Sequence, residues 1–168
     1  SPFGSEDGRA YYAAMCGAAN MAFANRQVIL HRIREVLAEV FGRAPEALGL
    51  RTVYDVAHNT AKLETHDVGG RQRRLLVHRK GATRAFPPGH PELPALYRRT
   101  GQPVIIGGSM ETGSYLLAGV ASGSASFYST AHGSGRTMSR TRARKLVRGK
   151  RLLEQMAKRG IVVRAASL

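Results

Sequence analysis

The sequence predicts an α+β protein, with helices and short, mostly antiparallel strands that do not alternate regularly. Three observations support this fold class: a long helical pattern opens the chain, short strand patterns fill its middle, and a basic helical pattern lies near its end. The 168 residues, 43% of them hydrophobic, suffice for one core, so we expect residues 1–168 to form a single domain.

The first helix is predicted from apolar residues that recur every three or four positions between Ser5 and Phe41. Gly42 follows at a position suited to end it. Gly17 and Asn25 are weak helix formers inside the pattern and would divide it into two helices.

The second helical pattern is the basic segment between Ser139 and Gly160. Ser139 or Thr141 would cap its beginning, and Gly160 would end it. A strand-like apolar run follows at residues 161–166.

Strand patterns occupy the middle of the chain. Residues 51–59 alternate between apolar and polar types, and a hairpin is predicted to turn at Gly69-Gly70 with residues 75–77 in its second strand. The proline-rich residues 86–103 predict a surface loop with one helical turn at 93–98. Further short strands are predicted at residues 104–106, 115–120 and 127–129.

The charge balance is the strongest compositional signal. Lys and Arg number 26 against 11 Asp and Glu, which gives a net charge of +15. A field of this sign attracts phosphate backbones, so nucleic acid is the leading partner, although a basic chain without a specific site has the same composition.

No apolar stretch is long enough to span a membrane, and we expect a cytoplasmic protein. Cys16, the single cysteine, excludes an internal disulfide and favours an inert thiol.

Six histidines lie at positions without the i, i+4 spacing of a helical metal pair. His31 and His90 are interpreted as surface residues. His58 is the better candidate for a metal ligand, because it ends a predicted strand beside Asn59 and close to Asp55. A structural histidine at a strand end is the alternative.

Two loops rich in Gly and Ser are candidates for phosphate binding. In the first, Gly107, Gly108 and Gly113 would expose backbone amides, and Ser109 and Ser114 would add hydroxyl groups. Such a loop can hold phosphate or a base, but it matches neither the phosphate-loop pattern nor the dinucleotide pattern, and a tight turn is the alternative.

The second loop begins at His132, which can act as a nucleophile, a general base or a metal ligand. Gly133 and Gly135 permit close approach of the backbone, while Arg136 and Arg140 can bind phosphate. A glycine turn with an incidental histidine is the alternative. Three more cations are candidates for phosphate contact: Arg79, Lys80 and Arg84.

Six segments in order closely resemble successive motifs of the RtcB family of RNA-splicing ligases. They are EDGRAYYAAMCGAANMAFANRQVI, VYDVAHN, VHRKGATRAFPPG, GQPVIIGGSMETGSYLL, STAHGSGRTMSRTRAR and RGIVVRAAS. The resemblance runs through essentially the whole chain. It implies a ligase that joins RNA 2',3'-cyclic phosphate or 3'-phosphate ends to 5'-hydroxyl ends, using GTP and manganese (Mn²⁺).

The resemblance also implies residue roles. His132 would be guanylylated, His58 would bind manganese, and Asn59 would lie against the nucleotide. Further nucleotide contacts would come from Gly107, Gly108, Ser109, Met110, Ser114, Gly133, Ser134 and Gly135. Phosphate or RNA contacts would come from Lys80, Arg84, Arg136 and Arg140.

The resemblance implies that residues 1–168 are a piece of the larger RtcB-like fold and of its catalytic domain, without the N-terminal half that carries further metal ligands and without the C-terminal extension. We therefore expect little ligase activity from this chain alone. The implied partners are RNA, as tRNA halves or broken ends, the missing half, and an archease-like activator. The alternatives are a non-catalytic, basic RNA-binding remnant and a structural remnant that self-associates.

Overall fold

The structure, a computed structural model, describes residues 2–109, 112–146 and 149–164. It has helices and short strands in the α+β class, which confirms the predicted fold class. The helices are α1 (Glu6–Phe41), α2 (Arg140–Leu146) and α3 (Gly149–Lys158). The strands are β1 (Asn59–Asp67), β2 (Gln72–Lys80), β3 (Ala82–Arg84), β4 (Pro103–Ile106), β5 (Tyr115–Ala118) and β6 (Ser129–Ala131).

Helix α1 begins and ends where the sequence predicts. The Ser5 hydroxyl accepts a hydrogen bond from the Gly8 amide at 3.1 Å, and Gly42 adopts a left-handed conformation with φ of 60°. The predicted division at Gly17 or Asn25 is wrong, because the helix is continuous over 36 residues. One glycine costs only about 1 kcal/mol of helix propensity, which the neighbouring helix formers offset.

Strands β1 and β2 form the predicted antiparallel hairpin, in the register Asn59↔Lys80 to Asp67↔Gln72. The turn contains Gly69 and Gly70 with φ of 63° and 77°, a conformation that glycine adopts without a steric penalty. The Asp67 carboxylate accepts a hydrogen bond from the Gly70 amide at 2.9 Å. The hairpin therefore has both the turn and the register that fix which side chains point inward.

Strand β6 pairs with β3, which the sequence analysis did not predict. It begins two residues later than predicted, because Phe127 and Tyr128 adopt left-handed conformations with φ of 51° and 50°. Strands β4 and β5 form a third two-stranded sheet.

Two strand predictions are wrong. Residues 51–57 form no strand despite their alternating pattern, and residues 161–164 are irregular, with 165 and 166 outside the described residues. Alternation makes a strand only where a partner strand is available. In the proline-rich loop, the predicted helical turn is present as a 3-10 turn at Ala95–Tyr97.

The chain divides into two compact units, the first formed by Ser1–Val104 with Leu117–His132 and the second by Ile105–Leu116 with Gly133–Leu168. In the first unit, Phe86, Leu93 and Gln102 are the largest fully buried side chains. The single-domain organisation stays a prediction. Within the described parts of the chain, no helix combines the length and apolarity that crossing a bilayer requires.

Candidate active site

Two histidines distant in sequence meet in the first unit. His132 directly follows β6, and His58 directly precedes β1. Their ring centroids are 4.7 Å apart and their planes differ by 7°, which is a stacked arrangement. Both residues are exposed. The structure thus brings the predicted nucleophile and the predicted metal ligand together, although His58 precedes a strand rather than ending one.

Gly81, the residue between β2 and β3, lies close to both histidines. Its amide donates a hydrogen bond to the His58 carbonyl at 3.0 Å. A Cβ atom at Gly81 would lie 3.5 Å from His132 Nε2, and its φ of 71° is a conformation that other residues rarely adopt. The sequence analysis missed this residue. The signal was available, since a glycine between two strands commonly marks a tight turn.

Lys80 and Asn59 flank the histidine pair. They face each other across the β1–β2 register, and Lys80 Nζ donates a hydrogen bond to Asn59 Oδ1 at 3.2 Å. Both are exposed, so this contact leaves them accessible to a ligand. An ammonium group and an amide beside an imidazole can bind phosphate oxygens and a base or ribose, respectively.

Arg79, assigned to the basic phosphate-binding segment, is instead a buried structural residue. Its guanidinium donates to both oxygens of Glu64, at 2.6 and 2.8 Å. The same group donates to Ser129 Oγ at 3.0 Å and to the Phe127 carbonyl at 2.8 Å. These bonds leave Arg79 inaccessible to phosphate, and they hold the start of β6, the strand that leads to His132.

Glu64 is the buried anion at the centre of these contacts. Burial acts to raise its pKa, but hydrogen bonds from Arg79 and His66 outweigh burial and hold the pKa of Glu64 below its ordinary value. The His66 Nε2 atom lies 2.8 Å from Glu64 Oε2. We call the side chains of Glu64, His66, Arg79 and Ser129 the hairpin network.

Arg84, a predicted phosphate contact, already has protein partners. It forms an ion pair with Glu92 at 2.8 Å, and its guanidinium lies 4.3 Å from the centre of the Phe86 ring. Its phosphate role stays a prediction. His90 was expected at the surface but is half-buried and stacks on Phe86, and burial lowers its pKa.

The glycine loop, residues 107–109 and 112–114, belongs to the second unit. Its amides are largely satisfied by local side chains, since the Gly108 amide donates to Ser114 Oγ at 3.2 Å and the Ser109 amide donates to Thr112 Oγ1 at 2.8 Å. A nucleotide would therefore meet hydroxyl groups first, or would replace these bonds. A Cβ atom at Gly108 would lie 2.3 Å from the Gly113 carbonyl oxygen, so any side chain at this position would have to displace the loop.

The segment after His132 adjoins the glycine loop within the second unit. Gly133 forms a parallel β-bridge with Gly107, and the Ser134 amide donates to the Gly107 carbonyl at 2.9 Å. Gly135 has a φ of 73°, and Arg136 is exposed. The structure therefore joins the two predicted nucleotide-binding loops.

Two predicted contact residues receive little structural description. Met110, a predicted nucleotide contact, lies outside the described residues. Arg140, a predicted phosphate or RNA contact, is the first residue of α2. The Ser139 hydroxyl caps this helix by accepting a hydrogen bond from the Arg142 amide at 3.2 Å, as predicted.

A metal ion needs more donors than this arrangement supplies. Among the described residues, no three His, Cys, Asp or Glu side chains are grouped closely enough to hold one. Manganese in proteins is usually held by several oxygen and nitrogen donors, so His58 would be a small part of its coordination sphere. The manganese-binding role of His58 stays a prediction.

Comparison with known proteins matches the chain to one family along its whole length. Residues 1–168 match the family described as tRNA-splicing ligase RtcB. A tRNA-splicing ligase RtcB of Thermococcus kodakarensis is 56% identical, with 99% of this chain and 35% of the relative covered. The protein of that name from Aeropyrum pernix is 52% identical, with 99% and 34% covered.

A third relative, tRNA-splicing ligase RtcB of Pyrococcus abyssi, is 54% identical over 99% of this chain and 18% of its own length. The chain thus spans about a third, or less, of the length of the curated relatives it matches. With the match complete along these residues, the chain belongs to the RtcB family.

Proposed function

We propose that this chain is part of an RNA ligase that joins 2',3'-cyclic phosphate or 3'-phosphate ends to 5'-hydroxyl ends through guanylylated His132. The observation that carries the proposal is the His58–His132 pair, an accessible nucleophile stacked on a second imidazole at 4.7 Å. Membership of a family described as tRNA-splicing ligase supports RNA as the substrate.

The proposed chemistry begins with a ring nitrogen of neutral His132 attacking the α-phosphorus of GTP. A nitrogen–phosphorus bond forms, the bond to the β-phosphate oxygen breaks, and pyrophosphate leaves. Water first opens a cyclic end to a 3'-phosphate. An oxygen of the RNA 3'-phosphate then attacks the guanylate phosphorus, and the nitrogen–phosphorus bond breaks, which returns His132 to its free form. The 5'-hydroxyl loses its proton and attacks the activated 3'-phosphate, and GMP leaves. Lys80 would neutralise phosphate charge, and Asn59 would hydrogen-bond the nucleotide.

The glycine loop and residues 133–135, which adjoin each other in the second unit, would hold the nucleotide. Exposed hydroxyl groups of Ser109, Ser114 and Ser134 would bind it, and Gly133 and Gly135 would allow it to approach the backbone. Arg136 is exposed and would bind phosphate or RNA.

Manganese is part of the proposal, with His58 as one ligand. The described residues do not complete a metal site, so the other ligands would come from elsewhere in an RtcB protein. The partners would be RNA ends, that remaining part of the protein and an archease-like activator.

A non-catalytic RNA-binding function is the second candidate, and the exposed cations of the two C-terminal helices favour it. Among the described residues these cations include Arg142, Lys145, Arg151 and Lys158, and exposed Arg159 directly follows α3. Met156 on the same segment is buried, so α3 has an apolar face and a basic face. Such a face binds RNA backbone without any need for His132.

Labelling with GTP distinguishes the two candidates. The chain is incubated with α-phosphate-labelled GTP and Mn²⁺, with and without the complementary part of the Thermococcus kodakarensis relative, and analysed by denaturing electrophoresis. We expect label on this chain in the mixture, little label without the complement, and none in His132→Ala.

His78→Ala is the matched control, because His78 is an exposed histidine of β2 that stacks on Tyr11 rather than on the pair. It should keep the label. Label that survives His132→Ala, or no label in a mixture of folded components, would contradict the proposal. If the folded mixture shows no label but still binds RNA, the result would favour the non-catalytic RNA-binding function.

A further inference from the structure

Among the described residues, no strand pairs with residues 51–57. The path of the His58 segment, residues 51–58, therefore depends on side-chain contacts and on the bond between the His58 carbonyl and the Gly81 amide. Its anchors include the Tyr97 hydroxyl, which donates to the Val53 carbonyl, and Arg34 Nη2, which lies 3.3 Å from Thr52 Oγ1. Among the described side-chain anchors, the closest to His58 in sequence is an ion pair from α1, with Arg26 Nε 2.6 Å from Asp55 Oδ1. The stacked imidazole thus follows three residues after a charged anchor.

Arg26 is held in place before it reaches Asp55. Its guanidinium carbon lies 4.3 Å from the centre of the Phe23 ring, one turn earlier on α1, and this stacking orients the guanidinium plane. Its Nη2 atom is buried and has no hydrogen-bond partner among the described residues. Asp55 is therefore the acceptor for a partly desolvated cation, in a pair whose side chains are 33% and 24% exposed.

The two sides of His58 are fixed by different elements. On the N-terminal side of His58, Asp55 forms an ion pair with Arg26 of α1. The His58 carbonyl itself accepts a hydrogen bond from the Gly81 amide, which comes later in the chain. His132 is positioned separately, by the pairing of β6 with β3. The stack at 4.7 Å needs both placements, so a shift of the His58 segment away from α1 would separate the rings.

We propose that Arg26 and Asp55 are positioning residues, which hold His58 against His132 and thereby set the geometry at which the nucleophile reacts. Both residues act through the backbone of the His58 segment and not by contact with the imidazole rings. The catalytic consequence rests on the proposed function, whereas the structural consequence does not. Misplacement of reacting groups by about 1 Å can reduce a rate about 100-fold.

The test measures the nuclear Overhauser contact between the imidazole protons of His58 and His132 in the full chain. We expect the contact in the wild type, its loss in Arg26→Gln, and partial recovery in Arg26→Lys, which keeps the charge but not the planar fork. Arg32→Gln is the matched control, because Arg32 lies on the same helix and pairs with exposed Glu35 at 2.8 Å. It should keep the contact.

Asp55→Asn is the second variant, and it is nearly isosteric in case Arg26→Gln fails to fold. The double variant Arg26→Gln/Asp55→Asn should be no worse than the worse single variant, since both remove one interaction. A retained ring contact in folded Arg26→Gln and Asp55→Asn would overturn the proposal.

GTP labelling in the mixture separates this inference from the proposed function. If the wild type is labelled, we expect the labelling rate to fall about 10- to 100-fold in Arg26→Gln and to be unchanged in Arg32→Gln. An unlabelled wild type whose ring contact depends on Arg26 would reject the proposed function and support the positioning role. Labelling at the wild-type rate in Arg26→Gln would overturn the positioning role.

Discussion

The hairpin network and the glycine loop use hydrogen bonds in opposite ways. In the network, Arg79 forms a buried hydrogen bond with Glu64, which is 15 residues away in sequence. It also forms a part-buried hydrogen bond with Ser129, which is 50 residues away. In the loop, Ser109 and Thr112 bond across three residues at the surface. Long-range bonds form when the whole unit folds, whereas local bonds can form and break alone. The network should therefore report on global stability and the loop on local opening.

The largest expected effect is that of Arg79→Met. Removing the guanidinium leaves the Glu64 carboxylate buried beside an apolar side chain, so we expect the free energy of unfolding to fall by about 3–5 kcal/mol. Urea denaturation measures the change. Arg32→Met is the matched control, since its pair with Glu35 is exposed, with 73% and 47% of the two side chains accessible, and should change stability by less than about 1 kcal/mol. Equal effects of the two substitutions would refute the contrast.

A pair of glycine substitutions sharpens the contrast, because the same clash occurs in the first unit, which contains the hairpin network, and in the glycine loop. A Cβ atom would lie 2.3 Å from a backbone carbonyl oxygen at Gly119, against Phe86, and also at Gly108, against Gly113. We expect Gly119→Ala to cost about 2–3 kcal/mol, since buried Phe86 cannot move freely. Gly108→Ala should cost less than about 1 kcal/mol, since the exposed loop can shift.

Two measurements check this pair of substitutions. Urea denaturation compares the global stabilities, and hydrogen exchange at the Ser109 and Thr112 amides should accelerate in Gly108→Ala alone. A larger global loss in Gly108→Ala than in Gly119→Ala would show that the loop belongs to the cooperative core.

The smallest expected effect is that of pH on the network. The pKa of Glu64 is held below its ordinary value of 4.5, so the folded state favours the carboxylate and the unfolded state binds the proton more readily. The stabilisation is complete above pH 4.5 and is lost as pH falls through the folded-state pKa. The charged or titratable groups facing Glu64 are Arg79, His66 and Arg84. Protonation removes one charge but keeps the packing, so this loss should be smaller than that in Arg79→Met.

Urea midpoints measured from pH 3 to 7 check the expectation, with Glu64→Gln as the comparison. That variant cannot titrate at this position and should lose the part of the acid dependence that Glu64 contributes. The depressed pKa of His90 acts in the same direction at higher pH, because its neutral form is favoured in the folded state. Identical pH slopes below pH 5 in the two proteins would refute the role of Glu64.

Local signals predicted much of the fold. The cap at Ser5, the stop at Gly42 and the Gly69-Gly70 turn depend on residues within a few positions, so sequence is sufficient for them. Strand β3 and the irregular residues 51–57 depend on whether another segment supplies hydrogen bonds. The three residues of β3 are too few to show the alternation of apolar and polar residues that indicates a strand. Residues 51–57 show this alternation but form no strand.

The site shows the same division. The resemblance identified His58 and His132 individually, but their stacking depends on contacts distant in sequence, including the pairing of β3 with β6 and the bond from Gly81 to His58. The structural role of Arg79 was accessible to sequence reasoning: Val77 is buried on β2, and a side chain two positions later lies on the same face. The Arg26–Asp55 pair joins α1 to the irregular segment across 29 residues, and no local pattern indicates it.

The left-handed pair Phe127–Tyr128 sets the side-chain alternation of the three-residue strand that follows. Ser129 points toward Arg79, so the alternation along β6 fixes the side on which His132 emerges. Inserting or deleting one residue in β6 would turn the imidazole to the opposite face, although every amino acid of the site would still be present. The spacing between Phe127 and His132 is thus a constraint on length, which sequence variation in this segment would have to satisfy by substitution alone.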